Sequence, residues 1–265
     1  MPLEVRSPQF RRLAVAALLA LSVAGCKTTG DDITGSIGGS APRSEAEWRQ
    51  SLETSGARYR ANPDDPAAAI AYARGLRATD QRAQAVAVLE QASIRNPNDM
   101  AVLGAYGRAL AEAGNLVQAL DVLGRAHTPD NPDWRILNAQ GAVLDQLGRH
   151  AEAQRHYSSA LKIMPDEPSV LSNLGMSYVL TKDLKRAEIS LRRALAQPNA
   201  DPKVRQNLAL IVGLRGRMDD AEKIARDGLP DAEASANVAN LRQILAQQKD
   251  WKKTGARPFM PNPGG

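Results

Sequence analysis

At 265 residues the chain has room for one or two compact domains or one elongated array. Its 4% aromatic content and Ala- and Leu-dominated 43% hydrophobic fraction favour helices over sheet cores. Lysine and arginine outnumber aspartate and glutamate by 34 to 29, but acids are interspersed and no concentrated basic face forms, which argues against a nucleic-acid partner. The single cysteine excludes a disulfide framework.

The first predicted element is a leader. Arg6, Arg11 and Arg12 precede an apolar run of 13 residues, 13–25, that ends in small residues before Cys26. A basic flank and a short apolar stretch read as a secretory signal, because a bilayer-spanning helix needs about 20 residues. The ending Val23-Ala24-Gly25-Cys26 resembles the bacterial lipobox, which makes Cys26 the expected lipidation site and mature amino terminus. Cleavage there leaves 31 basic and 28 acidic side chains, a weak net charge. Two or three acyl chains on one cysteine give durable anchoring. By resemblance to lipoproteins of Gram-negative cells, Lys27 rather than Asp at the next position implies the outer membrane, facing the periplasm. Residues 26–42 cannot bury a core and are expected to form a flexible tether with a reach of roughly 20 Å.

Helices follow. Residues 43–65 have the phase of a capping helix, ending at Asn62-Pro63. From Pro66 the sequence aligns with itself in rows of 34 residues starting at Pro66, Met100, Trp134, Pro168 and Pro202. Asp65, Asp99, Asp133, Glu167 and Asp201 stand just before the rows, where a carboxylate caps orphan amides, and three rows then open on Pro. Ala73, Gly107, Gly141, Gly175 and Ala209 form a column of small residues where two helices would approach closely. Asp80, Gly114, Gly148, Lys182 and Gly216 mark the turn between paired helices. Ala85, Ala119, Ala153, Ala187 and Ala221 are an unbroken packing column, followed by Leu89, Leu123, Tyr157, Leu191 and Ala225. Then come Ala92, Ala126, Ala160, Ala194 and Gly228.

These columns resemble the tetratricopeptide pattern of antiparallel helix pairs. The implied fold is an all-α, right-handed solenoid with repeats 66–99, 100–133, 134–167, 168–201 and 202–230. The Trp slot of that pattern holds Ala69, Leu103, Leu137, Leu171 and Arg205. The fifth row departs most, with Ala225 and Gly228 where bulk and Ala are usual, so a shorter or looser pair is expected there. Each pair leaves an apolar face that the next must cover, so the ends need caps. Residues 231–249 are amphipathic and suited to cap the back; 250–265, rich in Pro and Gly, read as a disordered tail. Trp251 and Phe259 would allow that tail to dock.

In such arrays the first helix of each pair lines a concave surface. Helical spacing assigns Ile70, Arg74, Arg77 and Arg108 to its front, and Arg135, Asn138, Ala142 and Asp145 to its centre. Ser172, Asn173, Met176, Val179, Leu180, Lys203, Asn207 and Leu210 fall at its back. This grading from cationic to polar to apolar suits a peptide or helix with acids at one end and apolar anchors at the other. Two readings stay open: the arginines serve either a ligand or plain solvation, and Met176, Val179 and Leu180 either the groove or burial against the next helix. Asn138, Asn173, Lys203 and Asn207 partly resemble the carboxylate clamp of some tetratricopeptide domains, but the front half of that clamp is missing and Ala142 stands where a donor would help.

No catalytic constellation emerges. His150 and His156 are six apart, on different helix faces, and His127 gives no zinc spacing. No glycine-rich loop follows a strand. The expected activity is therefore protein binding, with no cofactor, no metal, no small-molecule substrate and no enzyme chemistry.

Along nearly its whole length the chain resembles the TadD-like tetratricopeptide lipoproteins of the tight-adherence (Flp) pilus assembly system, in their α-proteobacterial form. The specific stretches are the tether Gly25-Cys26-Lys27-Thr28-Thr29-Gly30-Asp31-Asp32-Ile33-Thr34-Gly35-Ser36-Ile37-Gly38-Gly39, with Asp133-Trp134-Arg135-Ile136-Leu137 and Val204-Arg205-Gln206-Asn207-Leu208-Ala209. Residues 58–64, 84–92, 140–145, 169–175 and 240–244 are also similar, though they largely follow repeat consensus. The resemblance implies a pilotin-like scaffold that supports localisation or stability of the outer-membrane secretin. The alternative is a scaffold for another envelope machine, such as outer-membrane protein insertion or peptidoglycan remodelling.

Overall fold

A computed structural model describes residues 44–254, with side-chain surroundings defined as far as Ala246. The expected signal segment, Cys26 and tether lie outside the described residues, as does the tail from residue 255. Among the described residues there are twelve α-helices and no strands; the only β feature is an isolated bridge between Thr128 and Asn131. No described helix is long and apolar enough to cross a membrane.

The helices are α1 (Glu45–Ala61), α2 (Pro66–Ala78), α3 (Arg82–Arg95), α4 (Met100–Glu112), α5 (Leu116–Arg125) and α6 (Trp134–Gln146). They continue as α7 (His150–Ile163), α8 (Pro168–Leu180), α9 (Leu184–Leu195), α10 (Pro202–Leu214), α11 (Met218–Arg226) and α12 (Asp231–Thr254). Each row of 34 thus supplies two helices, the first beginning on the row's first residue.

Local chemistry fixes both ends of the first helices. Asp65, Asp99, Asp133 and Asp201 accept from the amides of Ala67, Ala101, Arg135 and Lys203 at 2.7–2.9 Å, and Glu167 accepts from Ser169 at 3.4 Å. A cap of this kind contributes about 1 kcal/mol. At the other end, every residue of the turn column is left-handed: φ is 60° at Asp80, 84° at Gly114, 75° at Gly148, 63° at Lys182 and 85° at Gly216. The following amide then bonds back to the helix in every row (Gln81 to Leu76, Asn115 to Leu110, Arg149 to Leu144, Asp183 to Tyr178, Arg217 to Val212), which closes a Schellman motif. Asp80 and Lys182 adopt this conformation without glycine's freedom, so the turn is imposed by the array and merely eased by Gly where Gly occurs.

Packing follows the columns. Ala85, Ala119, Ala153, Ala187 and Ala221 are all fully buried. A Cβ on Gly107 would meet Leu123 Cγ at 2.6 Å, one on Gly141 would meet the Tyr157 ring at 2.5 Å, and one on Gly175 would meet Leu191 Cγ at 2.9 Å. Small residues on the first helix therefore receive the bulk of the second. In the fifth row, Arg205 takes the Trp slot, with a guanidinium nitrogen 2.9 Å from where a Gly228 Cβ would stand. Gly228 is left-handed at φ 71° and α11 stops at Arg226. The two departures from the pattern in this row thus accommodate each other.

The backbones of successive first helices approach closely (α2 to α4, α4 to α6, α6 to α8, α8 to α10), whereas those of successive second helices stand further apart among the described residues. The first helices therefore line an inner wall and the second helices stand apart on the outer face. The core runs through the stack as linked clusters: a front one around Leu76, Leu89, Leu110 and Leu123, a middle one around Leu144, Tyr157 and Val170, and a rear one around Leu171, Leu191, Leu208 and Ile211. At the front, α1 packs on α2, with Tyr59 stacked on Tyr72 at 5.6 Å and Leu52 against Gly75. At the back, α12 packs on both α10 and α11, burying Ala234, Val238, Leu241 and Leu245. It occupies the place of a sixth first helix. It also continues to Thr254, so residues 250–254, which composition assigned to a disordered tail, are helical.

Candidate protein-binding inner wall

The residues assigned to the groove by helical spacing all lie on first helices, but the structure divides them by burial and partner. At the front, Arg74 is exposed. Arg77 is only 11% exposed and forks onto the Glu112 carboxylate, with Nε donating at 2.6 Å and Nη2 donating to the second oxygen. Such a bidentate pair is directional and strong, so Arg77 ties α2 to α4 as well as lining the wall. Arg108 is half-buried beside Gly104. The cationic front is therefore less charged than the arginine count implies, because Glu112 lies four residues beyond Arg108 and neutralises Arg77.

The centre is more closed still. Arg135 lies over the Trp134 ring at 4.5 Å and 3.8 Å from Asp133. Asn138 is not an exposed donor: it is 1% exposed, and its Oδ1 accepts from Asn173 Nδ2 at 3.0 Å. This bond joins α6 to α8 and occupies two members of the proposed carboxylate clamp, so that part of the clamp does not present itself to a ligand. Asp145 is 11% exposed and gathers three partners: Ser177 Oγ donates at 2.9 Å, the Tyr157 hydroxyl at 3.1 Å, and His150 Nδ1 stands at 2.9 Å. Burial, and then the Asp145 carboxylate, push the Tyr157 phenol well above its usual range. Tyr157 stands in a column otherwise of Leu and Ala, and its hydroxyl needs a buried acceptor. Asp145 supplies it.

At the back, Ser172, Asn173, Met176, Val179 and Leu180 are half-buried. Val179 and Leu210 pack against the rear core, which favours a packing role for both. Lys203 is exposed and Asn207 half-buried. The accessible part of the wall is thus Arg74 at the front and Lys203 at the back, with half-buried Ile70, Arg108, Arg135, Met176 and Asn207 between them.

Two charged centres escaped the sequence reading. One is Glu112. The other is Glu188 on α9, 6% exposed, which accepts from Arg192 Nε at 2.8 Å and from Arg215 and Arg217 across the turn after α10. Burial alone would raise its pKa; the hydrogen bonds from Arg217, Arg192 and Arg215 more than offset that, and the carboxyl is held below its ordinary value. A lone acid within the basic run of α9 was the available signal.

The histidines do not assemble a site. His150 is bound to Asp145. The Nδ1 atoms of His127 and His156 are buried without a hydrogen-bond partner among the described residues. Burial, and then the proximity of His127, lower the His156 pKa. Among the described residues no group of three or more His, Cys, Asp or Glu side chains could hold a metal ion.

Paired antiparallel helices at a 34-residue period, stacked so that first helices form one wall, define a tetratricopeptide solenoid, a class that serves as a protein-interaction scaffold. In agreement, the sequence profile described as Tetratricopeptide repeat matches residues 76–141 and 146–211, and the chain carries such repeats. No curated protein matches the sequence. Among solved structures, the chain is similar to the APC/C hetero-tetramer Cut9-Hcn1, with TM-score 0.64 and 20% identity over 78% of this chain; it spans 40% of that chain's length. It is also similar to PilW, described as a widely conserved type IV pilus biogenesis factor, with TM-score 0.65 and 15% identity over 74% of this chain and 91% of that one. A third similarity is to pilF of Pseudomonas aeruginosa, with TM-score 0.55 and 19% identity over 72% and 88% of the two chains. At these identities the likeness is one of fold.

Proposed function

We propose that this protein is a non-enzymatic, lipid-anchored scaffold that binds an envelope protein along the inner wall of its solenoid and supports pilus assembly of the tight-adherence (Flp) kind. The observation that carries the binding role is the wall itself: five first helices in lateral contact present a continuous surface running from Arg74 to Lys203. A solenoid offers area and shape to a polypeptide rather than an enclosed pocket to a small substrate.

The anchor and setting rest on the sequence. Cys26 follows a lipobox-like ending, and the tether and the Trp134 and Val204 stretches resemble the TadD-like lipoproteins. Two solved solenoids similar in fold carry pilus names, PilW and pilF, which suits that setting. In this reading acylated Cys26 holds the array at the periplasmic face of the outer membrane, and the wall holds a segment of the secretin or of a neighbouring assembly protein. The test is twofold. Cys26→Ser is expected to abolish acylation and move the protein out of the outer-membrane fraction, with loss of secretin multimers from that fraction. Normal fractionation of the variant overturns the anchor. Secretin multimers that persist when the whole gene is deleted overturn the pilus role and leave the scaffold reading intact.

A further inference from the structure

Cationic side chains also gather on the outer face, away from the inner wall. The backbones of the second helices α7 and α9 stand further apart than those of the neighbouring first helices α6 and α8. A shallow furrow between α7 and α9 and the adjoining face of α7 hold two open depressions of about 790 and 390 Å³ that share Ala151 and Gln154, the larger lined from both helices and the smaller by α7 alone. Six cationic side chains line them: Arg155, Lys162, Lys182, Lys185, Arg186 and Arg215. A single acid, Asp183, lines them too, and it is already committed to Arg186, accepting from that residue's amide at 3.0 Å and from its guanidinium. Those two hydrogen bonds, backbone first, hold the Asp183 carboxyl below its usual range. Arg215 is committed to Glu188, and Arg155 comes no nearer than 3.9 Å to Glu152. Lys162, Lys182 and Lys185 are exposed and have no ion-pair partner among the described residues.

We infer that this furrow docks an acidic polypeptide segment in extended form. The rest of the lining is small and hydrogen-bonding, Ala151, Gln154, Ser158 and Ser159, and Gln154 reaches across to Thr181 at 3.4 Å. Leu184 is the one large apolar residue in the lining, so an amphipathic helix would find no series of apolar pockets there. Carboxylates spaced along an extended chain match cations distributed over the two adjoining depressions, Arg155 and Lys162 in the smaller and Lys182, Lys185, Arg186 and Arg215 in the larger. A single-stranded nucleic acid needs stacking platforms, and the nearby aromatic face, Tyr178, is already covered by Arg186 at 4.5 Å. This surface is separate from the inner wall and does not depend on the pilus reading.

The test uses the full-length protein in detergent and a fluorescein-labelled oligo-glutamate peptide, followed by fluorescence anisotropy at low salt. The wild type is expected to bind it, and to bind oligo-glutamine of equal length at least about tenfold more weakly. Affinity should fall steeply as salt is raised, since exposed charges are screened within roughly 10 Å at 0.1 M. The triple variant K162E/K182E/K185E is expected to lose about tenfold or more, while Arg74→Glu on the inner wall changes binding by less than about twofold. If the reversal variant does not keep its helical circular dichroism, K162Q/K182Q/K185Q is read in its place with a loss of about fivefold. Unchanged binding by the triple variants, or an equal loss in Arg74→Glu, overturns the inference. It is equally overturned if wild type prefers phosphatidylglycerol vesicles or single-stranded DNA to oligo-glutamate through the same lysines.

Discussion

The third and fifth rows share one backbone plan and fill it in opposite ways. In the third, the second helix brings its bulkiest member, Tyr157, against Gly141, and polar side chains knit the joint to the fourth row through Asp145, Ser177, Asn138 and Asn173. In the fifth, the matching positions shrink to Ala225 and Gly228, and the joint is held from outside by Glu188 and its three arginines. The period dictates where helices start, turn and approach, while each joint is free to use whatever chemistry fills the gap. Loss of bulk in one row is tolerated when a neighbour such as Arg205 moves in.

The largest effect should come from the tightest joint. Gly141→Ala places a methyl group 2.5 Å from the Tyr157 ring, and the cost is expected at about 3 kcal/mol, read as a lower urea midpoint. Tyr157→Leu recreates the arrangement of the first row, where Ala73 faces the Leu89 column, so in that background the same Ala should cost less than about 1 kcal/mol. Equal costs in the two backgrounds would mean that the ring does not set the limit.

Next is the rear joint. Glu188→Gln leaves Arg192 and Arg215 without a counter-charge and Arg217 with only Asp220, 3.8 Å away, for a loss of about 2 kcal/mol. Hydrogen exchange should show that loss concentrated in α10 and α11. The pH dependence follows from the sign of the shift. The folded pKa lies below the ordinary 4.5, so the stabilisation is complete above that value and is lost as pH falls through the folded one. Glu188→Gln should therefore flatten the acid limb of the stability curve, and an unchanged limb would show that Glu188 does not contribute to it.

How far these two joints could be read from sequence differs for a physical reason. Caps, turns and the small-residue column are local or repeat at a fixed interval, so Asp201, Gly148 and Ala187 announce themselves. Even the departures at Asp80 and Lys182 keep the left-handed turn, because the column fixes the backbone whichever side chain stands there. Helical spacing also put Asn138 and Asp145 on the inward-facing side of α6. It gives rotational phase only, and not how closely the next helix covers that face, so their burial was not legible. Glu112 and Glu188 were missed because their partners lie in neighbouring rows, 35 and up to 29 residues away, where no short motif records them. The furrow between α7 and α9 was invisible for the same reason: its cations come from three different helices and turns.

A smaller change sharpens the middle joint. Asn173→Ala removes the donor to Asn138 Oδ1, which at 1% exposure has little access to water, for a cost of about 1–2 kcal/mol. Asn138→Leu should restore part of it by replacing the stranded amide with an apolar group. If the double variant is no more stable than Asn173→Ala, the amide is not what the joint depends on.

The smallest pair of effects compares the caps of the fourth and fifth rows. Asp201 accepts from the Lys203 amide at 2.7 Å, whereas Glu167, one methylene longer, accepts from the Ser169 amide at 3.4 Å and spends the same oxygen on the Ser169 hydroxyl at 2.9 Å. Asp201→Ala should therefore cost about 1 kcal/mol and Glu167→Ala about half that. Glu167→Asp tests the geometry directly, since a shorter arm brings the carboxylate to the distance seen in the other four rows and should raise the urea midpoint. A lower midpoint would mean that Glu167 is held in the fourth row by its contact with the Ser169 hydroxyl and not by its capping role.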